Sequence, residues 1–556
     1  MGGRLKLLLP LAAVAALVTA GIGGAGHPRG GTLVFGSSTD PVILDPILVS
    51  DGESLRPIRQ IFEGLMTVKA GTAQVVPSLA RSFKVSRNGR VYTFTVRKGV
   101  KFHDGTAFNA AAVCYNFNRW YNFTGPFQSS AATSYWQSIF GGFKTTVGNA
   151  EAPVGQQTSL FRSCNVVNGL TARITLTKAS GSFVGALSLP SFSMSSPRAL
   201  QQFEANKAEI RGGAPVFTGS YGFAHPTGTG PYRFESWRVR ERLTLVRNTR
   251  YWGPKAHLSR IILRPISSNA ARLQALQTGE VQGYDLVDPQ DMSTLRSTRG
   301  LKLLDRPAFN VAYVAFNSAK APLNRLAVRQ AVAYGLDRRA VINSSIYAGR
   351  GQVAHAFMPP TLFGYAKNVK KYTYDPARSQ RLLRGAGLSL PVKLQFWYPT
   401  GVQRPYMPDP PRIFQAFKAS LERAGFEIEA RAAPWRPDYL NAAQTGNAGH
   451  LHLLGWTGDY ADPDNFLGEF FGAPKPQWGF NNAKIHNLLQ RADGETNAKK
   501  RIAMYQQANR QLMEFLPGVP YAHTKPGLGF RANVRGYIPS PVSLEPFRLV
   551  YFGGGV

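Results

Sequence analysis

Gly455-Trp456-Thr457-Gly458-Asp459-Tyr460-Ala461-Asp462-Pro463-Asp464-Asn465-Phe466 sets a carboxylate beside an indole at the end of an apolar run. That is equipment for holding a cation. The preceding His450-Leu451-His452-Leu453-Leu454 reads as a strand, and the Gly, Pro and Asp that follow are expected to end it, which places Asp459 on a strand-end loop. Such loops carry ligand contacts. Aspartates in loops also cap their own backbone, and on spacing alone that turn reading of Asp459, Asp462 and Asp464 is the more economical one.

Working outward, the run belongs to a repeating helix-then-strand order. Ala308 to Asn317 reads as strand, Val328, Ala331, Val332 and Leu336 share one helical face, and Asp337 restarts a second helix ending at Gly349. Asp375 caps a third, with Pro376 at its first position, Leu382-Leu383 inside and Gly387 as the stop. A fourth runs to Gly425, after which Phe426, Ile428 and Ala430 alternate as a strand. This order indicates an α/β fold. Upstream, Thr32-Leu33-Val34-Phe35 reads as a first strand and Phe83 to Val96 as a hairpin turning at Asn88-Gly89. Asn109 caps a helix that carries Val113, Cys114, Phe117 and Trp120.

A chain of 556 residues exceeds what one hydrophobic core supports, so several domains or two large composite lobes are expected. Lys and Arg total 65 against 31 Asp and Glu, a net charge of +34. The basic residues are scattered singly, without the clustering and aromatic readers that nucleic acid requires. A positive field acting on an anionic membrane or cell-wall surface fits this pattern, and so does adaptation to acidic surroundings. Arg4 and Lys6 precede the apolar run Leu7 to Ala20 and the small residues Gly21 to Gly26, the layout of a secretory signal peptide cleaved after Ala20. The run is short for a membrane span, and no cysteine lies beside it to carry a lipid. The chain has two cysteines, Cys114 and Cys164, and export makes a disulfide between them the expectation, with two buried thiols as the alternative.

The quoted stretch closely resembles the matching segment of the extracytoplasmic solute-binding proteins of peptide-importing ABC transporters, the family 5 dipeptide- and oligopeptide-binding proteins. The likeness is chain-wide. It continues in Arg59-Gln60-Ile61-Phe62-Glu63-Gly64-Leu65, read as a helix end stopped at glycine, and in Gly228-Thr229-Gly230-Pro231-Tyr232-Arg233-Phe234. Asn248, Tyr251-Trp252, Gly253 and Leu276-Gln277-Thr278-Gly279-Glu280-Val281 extend it further. The resemblance implies a two-lobed periplasmic-binding-protein-like α/β fold with an extended first lobe, hinge-linked by two strands near residues 310–316 and 521–524. Lobe one would span 32–307 plus 525–556 and lobe two 308–524, after a signal segment and spacer at 1–26. A ligand held between the lobes would drive hinge closure.

In that family the aspartate at the position of Asp459 grips the ligand's α-amino group. A zwitterionic peptide has an ammonium and a carboxylate at fixed separation, so a length-selective site opposes an anion and a cation across a closed cavity. Arginine suits the second role, because its planar fork takes a carboxylate through two parallel hydrogen bonds. Gln403-Arg404-Pro405-Tyr406-Met407-Pro408 supplies Arg404 on a proline-stiffened loop resembling the carboxylate-binding loop of dipeptide-binding proteins, departing from it at Met407, where asparagine is usual. Tyr406 and Trp435 fall at positions resembling the family's cleft wall, with rings able to pack on ligand, and Trp456 and Gly458 beside Asp459 are further candidate ligand contacts. Ser50-Asp51-Gly52 matches a cleft-lining loop, although an ordinary turn reads equally well.

Enzyme readings find little support: no phosphate-binding loop, no His-Glu-x-x-His and no Gly-x-Ser-x-Gly is present, and the glycines of Gly21 to Gly26 end a signal peptide. His450 and His452 share one side of a strand without a third ligand, so they read as core or edge residues, not as a metal site. The expectation is therefore a monomeric, cofactor-free capture protein for short peptides, most readily dipeptides, that delivers them to an ABC permease. Longer peptides, nickel, haem or sugars on the same fold are the alternative cargoes. A secreted hydrolase and a basic cell-wall or nucleic-acid binder are alternatives of other classes.

Overall fold

The computed structural model describes residues 30–145, 159–212 and 214–554. The signal segment and the glycine-rich spacer lie outside the described residues. Among those described, no helix is long and apolar enough to cross a membrane.

Two large sheets organise the chain. A seven-stranded sheet runs in the order Tyr232–Arg238, Arg242–Arg247, Arg260–Pro265, Thr32–Ser37, Gly283–Val287, Gly527–Arg531, Leu301–Asp305. Its strand Thr32–Ser37 is parallel to both neighbours, whereas the pairs at the two ends are antiparallel. A six-stranded sheet runs Gly351–Val353, Gly518–Thr524, Asn310–Phe316, Leu451–Thr457, Val392–Thr400, Phe426–Pro434. Helices pack on the sheets, as the alternating pattern requires, and the architecture is two-lobed α/β.

The chain passes between the sheets twice, from Leu301–Asp305 to Asn310–Phe316 and from Gly518–Thr524 to Gly527–Arg531. Both crossing strands of the second sheet are buried at every position, which explains their mostly apolar wording; the polar Asn310, His523 and Thr524 bond to one another. The crossings are tied together by Arg306 N, which donates to Pro526 O (2.9 Å), and the second is held to the edge strand's start by Lys525 N, which donates to Arg350 O (3.0 Å). Arg306 is only 1% exposed and sits on Asp285 (2.8 and 3.0 Å) and Glu545 (2.7 Å), with Arg56 completing the cluster on Asp285 (2.9 Å). Breaking one partner of such a buried pair leaves the other charge stranded at about 3–5 kcal/mol.

A four-stranded antiparallel sheet, Ala80–Val85, Val91–Val96, Thr171–Leu176, Phe161–Asn168, extends the first lobe. Cys164 on its edge strand is bonded to Cys114 on helix Ala110–Tyr121, with Cα atoms 5.1 Å apart. Asn109 and Asp375 cap their helices as expected, accepting from Ala112 N (3.0 Å) and Arg378 N (2.8 Å).

Three boundaries differ from the sequence reading. The helix ahead of Glu63 ends at Ile61, and Gly64 instead makes a β-bridge to Ser193. The helix capped by Asp337 stops at Asn343, well short of Gly349. The strand preceding Asp459 does not end at Gly455 but runs to Thr457, because neighbouring strand Asn310–Phe316 supplies ladder partners as far as Thr457.

Candidate functional site

The last three residues of strand Leu451–Thr457 form the floor of the site. A Cβ at Gly455 would lie 2.3 Å from the Tyr406 ring and 2.6 Å from Val311 O, so the glycine is what lets the Gln403–Pro408 loop fold down onto the strand. Trp456 lies edge-on to Phe470 (6.0 Å between centroids), and its Nε1 reaches Asn465 Oδ1 at 3.4 Å. Gly458 fills a slot beneath Phe309 and Phe466, where a Cβ would come within 2.3 Å of the Phe309 ring.

Asp459 follows immediately. Its Oδ1 accepts from the Tyr135 hydroxyl (2.7 Å), its Oδ2 from Asn465 Nδ2 (3.2 Å), and its own N–H donates to Asn465 Oδ1 (2.8 Å). Tyr135 belongs to helix Ser130–Phe140 of the other lobe, so this carboxylate meets both halves of the molecule. Asp459 is partly exposed by surface area, yet the surrounding protein desolvates its carboxyl enough to push the pKa up to about 6, against the two hydrogen bonds that pull it down. Among the described residues no cation pairs with it.

The neighbouring acids behave otherwise. Asp462 accepts from Asp464 N (2.9 Å) and takes Arg501 through two bonds (2.7 and 2.9 Å), so the turn reading describes Asp462, whereas the Asp464 carboxylate accepts from the Tyr505 hydroxyl (3.5 Å). Asp493 nearby makes a second contact between lobes: its Oδ1 accepts from Ser182 N (3.0 Å) and its carbonyl from Gly181 N (2.6 Å).

Arg404 and Met407 exchange backbone hydrogen bonds (3.0 Å each), closing the loop into a tight turn with Met407 fully buried inside it. The Arg404 guanidinium lies over the Trp435 ring, 4.5 Å from its centroid. That stacking fixes the direction of the fork without consuming its hydrogen bonds. Trp435 in turn stacks near Tyr439 (6.0 Å), and Tyr439 donates to Leu453 O, anchoring the tower to the strand below. Pro405 O accepts from Thr524 Oγ1 (2.6 Å) and Tyr406 O from Tyr347 (3.1 Å). Among the described residues no carboxylate pairs with Arg404.

Thr524, Asn310 and Thr457 end three adjacent strands, and Asn310 Oδ1 accepts from Thr524 N (2.9 Å). Two strand spacings of about 4.8 Å put roughly 10 Å between the Thr524 end, where the arginine loop lands, and the Thr457 end, beyond which Asp459 lies. An extended dipeptide spans about 7 Å, the same order as this separation.

The structure thus brings Asp459, Trp456, Gly458, Tyr406, Arg404 and Trp435 to one edge of the second sheet. Asp51 instead accepts from Ser54 N (2.9 Å) and caps helix Gly52–Ile61, with Ser50 and Gly52 exposed beside it. Its field adds to the rise in the Tyr135 pKa, after desolvation and Asp459, which places it near the same cleft. His452 is buried, and His450 lies just outside the strand, accepting from Gln395 N (3.0 Å). No cluster of metal-binding side chains occurs among the described residues. The sequence reading passed over Tyr135, whose partner lies far away in the chain, and over Asn465, which stood inside the quoted stretch and whose amide spacing from Asp459 was a usable signal.

Residues 74–478 match the bacterial extracellular solute-binding proteins, family 5. The chain belongs to this family. It is 30% identical over 560 residues to the dipeptide-binding protein of Escherichia coli, covering 99% of this chain and 98% of that one. It is also 30% identical over 527 residues to heme-binding protein A of Haemophilus influenzae, covering 93% and 91%. Among solved structures, a periplasmic binding protein of Helicobacter pylori in complex with the peptide STSA superposes with a TM-score of 0.78 at 27% identity, over 94% of this chain and 98% of that one. The family comprises extracytoplasmic substrate-binding proteins of transport systems.

Proposed function

We propose that this protein captures short peptides outside the cytoplasm, dipeptides foremost, and hands them to an ABC permease. The observation that carries this reading is the pair of unmatched charges at one sheet edge. Asp459 is a desolvated carboxylate without a counter-cation among the described residues, and Arg404 is a guanidinium held on an indole without a counter-anion among them. A zwitterionic peptide of two residues supplies both, its ammonium to Asp459 and its carboxylate to Arg404, with Tyr406, Trp435 and Trp456 walling the cleft. Lobe one comprises 32–307 with 525–556 and lobe two 308–524, and closure between them buries the ligand.

The peptide-binding names of the relatives support the cargo class. The Helicobacter pylori relative, solved with STSA, is the specific observation that favours longer peptides as the second reading. We read the protein as a non-catalytic monomer exported by its N-terminal segment, with the excess positive charge suited to an anionic membrane or cell-wall surface.

Thermal denaturation tests the central claim. A ligand that binds the folded closed form raises the melting temperature by mass action, so a free dipeptide stabilises the protein and its N-acetylated counterpart does not. Equal stabilisation by both removes Asp459 from the proposed role.

A further inference from the structure

Beside Arg404 lies a small pocket, partly open to solvent, that residues from both sheets' ends line. One wall is apolar and comes from the first lobe, from Leu286, Val287 and Met292. The lining also includes three cationic residues: Arg404 from the loop, Arg350, and Lys525 from the second crossing. One side is closed by the Asn269 amide, which donates to Gln403 Oε1 at 2.5 Å.

The charge balance of this cavity is positive. Asp305 pairs with Arg350, and Asp285, next to Leu286, is consumed by Arg306 and Arg56. The lining thus holds three cations and no carboxylate, with Asp288 beside it between Val287 and Pro289. Arg350 is 8% exposed, its Nε donates to Lys525 O (2.8 Å), and its Nη1 is buried with no hydrogen-bond partner. A buried donor left unmade is costly, so the site gains from an acceptor delivered by a ligand. Arg404 is itself part of the lining, so when it holds the terminal carboxylate, the C-terminal residue's side chain lies beside this pocket.

We propose that this cavity seats the C-terminal side chain and selects an acidic one, so that the preferred ligands are dipeptides ending in Asp or Glu. The methylene groups of Glu pack on Leu286, Val287 and Met292 while its carboxylate meets Arg350 Nη1 and the Lys525 ammonium. This inference rests on the peptide-binding reading above and adds a specificity to it.

Isothermal calorimetry with Ala-Ala, Ala-Glu, Ala-Gln and Ala-Lys on the full chain decides it. The expected result is at least about tenfold tighter binding of Ala-Glu than of Ala-Gln, with Ala-Lys weakest. Lys525→Gln should shrink the Ala-Glu to Ala-Gln ratio several-fold, and Lys525→Glu should shrink it further. Lys525 is exposed at its head, so both variants keep the crossing intact. Equal binding of Ala-Glu and Ala-Gln overturns the acidic preference while leaving peptide binding in place. An Ala-Glu preference that neither Lys525 variant changes overturns the assignment to this cavity. Failure of all four dipeptides to bind overturns the peptide reading itself, and the preference with it.

Discussion

The Tyr135 hydroxyl donates to Asp459 Oδ1 at 2.7 Å across 324 positions of sequence, joining the helix layer of one lobe to the sheet edge of the other. The same carboxylate is the group proposed to receive a ligand ammonium. Ligand capture and lobe closure therefore act on one titratable atom pair.

Proton linkage follows from the desolvation that raises Asp459 to about 6. An ammonium needs the ionised carboxylate, so below about pH 6 binding must also expel a proton, and affinity falls roughly tenfold per pH unit. The protein's own stability moves the other way. A raised folded-state pKa means this group's contribution is full below its unfolded value near 3.9 and is lost as pH rises through about 6. Calorimetry with a free dipeptide at about pH 7 and about pH 5 should show the loss of affinity, and Asp459→Asn should bind weakly with no such pH dependence. Equal wild-type affinity at both values would contradict the role of Asp459.

Tyr135→Phe removes a hydrogen bond that pulls the Asp459 pKa down. The midpoint of the affinity-versus-pH curve should then move upward. A merely structural loss would lower affinity at every pH without moving the midpoint, so the midpoint separates the two.

Removing the Cys114–Cys164 bond by a double serine substitution releases a crosslink of sequence separation 50. The loop-entropy relation places the loss near 4 kcal/mol. Denaturant unfolding of the two forms measures it. A difference below about 1 kcal/mol would mean that crosslinking adds little to the unfolded-state constraint already present.

Glu63 shows what the sequence likeness was made of. Its carboxylate accepts from Tyr251 (2.6 Å), Trp252 Nε1 (2.7 Å) and Thr229 Oγ1 (2.8 Å), which joins three of the segments that carried the family resemblance. A Cβ at Gly230 would lie 2.4 Å from Gln60 O, so the glycine wording there records a close backbone approach. These contacts are long-range, and they were legible only because each demands a particular residue type that the family likeness carries. Glu63→Gln presents an N–H to a site built for acceptors and should cost about 1–3 kcal/mol in thermal or denaturant unfolding.

The strands, caps and α/β order were legible for a different reason: Asp375-Pro376, Asn109 and the alternation at Phe426 act within a few residues. The end of the strand at Thr457 was not, because a partner strand decides it. Nor was the cap role of Asp51 separable from a ligand role, since both use the same turn chemistry. The pairing of Tyr135 with Asp459 leaves no trace at either position, and only the fold reveals it.

Arg404 separates dipeptide binding from the longer-peptide reading. Its fork is held on Trp435 at 4.5 Å, and the closed turn to Met407 leaves the loop little freedom to follow a carboxylate placed elsewhere. If a dipeptide's terminal carboxylate is clamped there, amidation removes one partner of a buried charge pair and should cost about 2–5 kcal/mol. Arg404→Ala should weaken the free acid by a similar amount and make the protein nearly indifferent to amidation. A peptide of five residues places its C-terminus beyond the roughly 10 Å between the two strand ends, where solvent screens it, so amidation would then change little even in the wild type. Calorimetry on dipeptide, dipeptide amide and pentapeptide with both proteins decides between them. Equal wild-type affinity for acid and amide would exclude the dipeptide clamp, and tighter binding of the pentapeptide alongside it would establish the longer cargo.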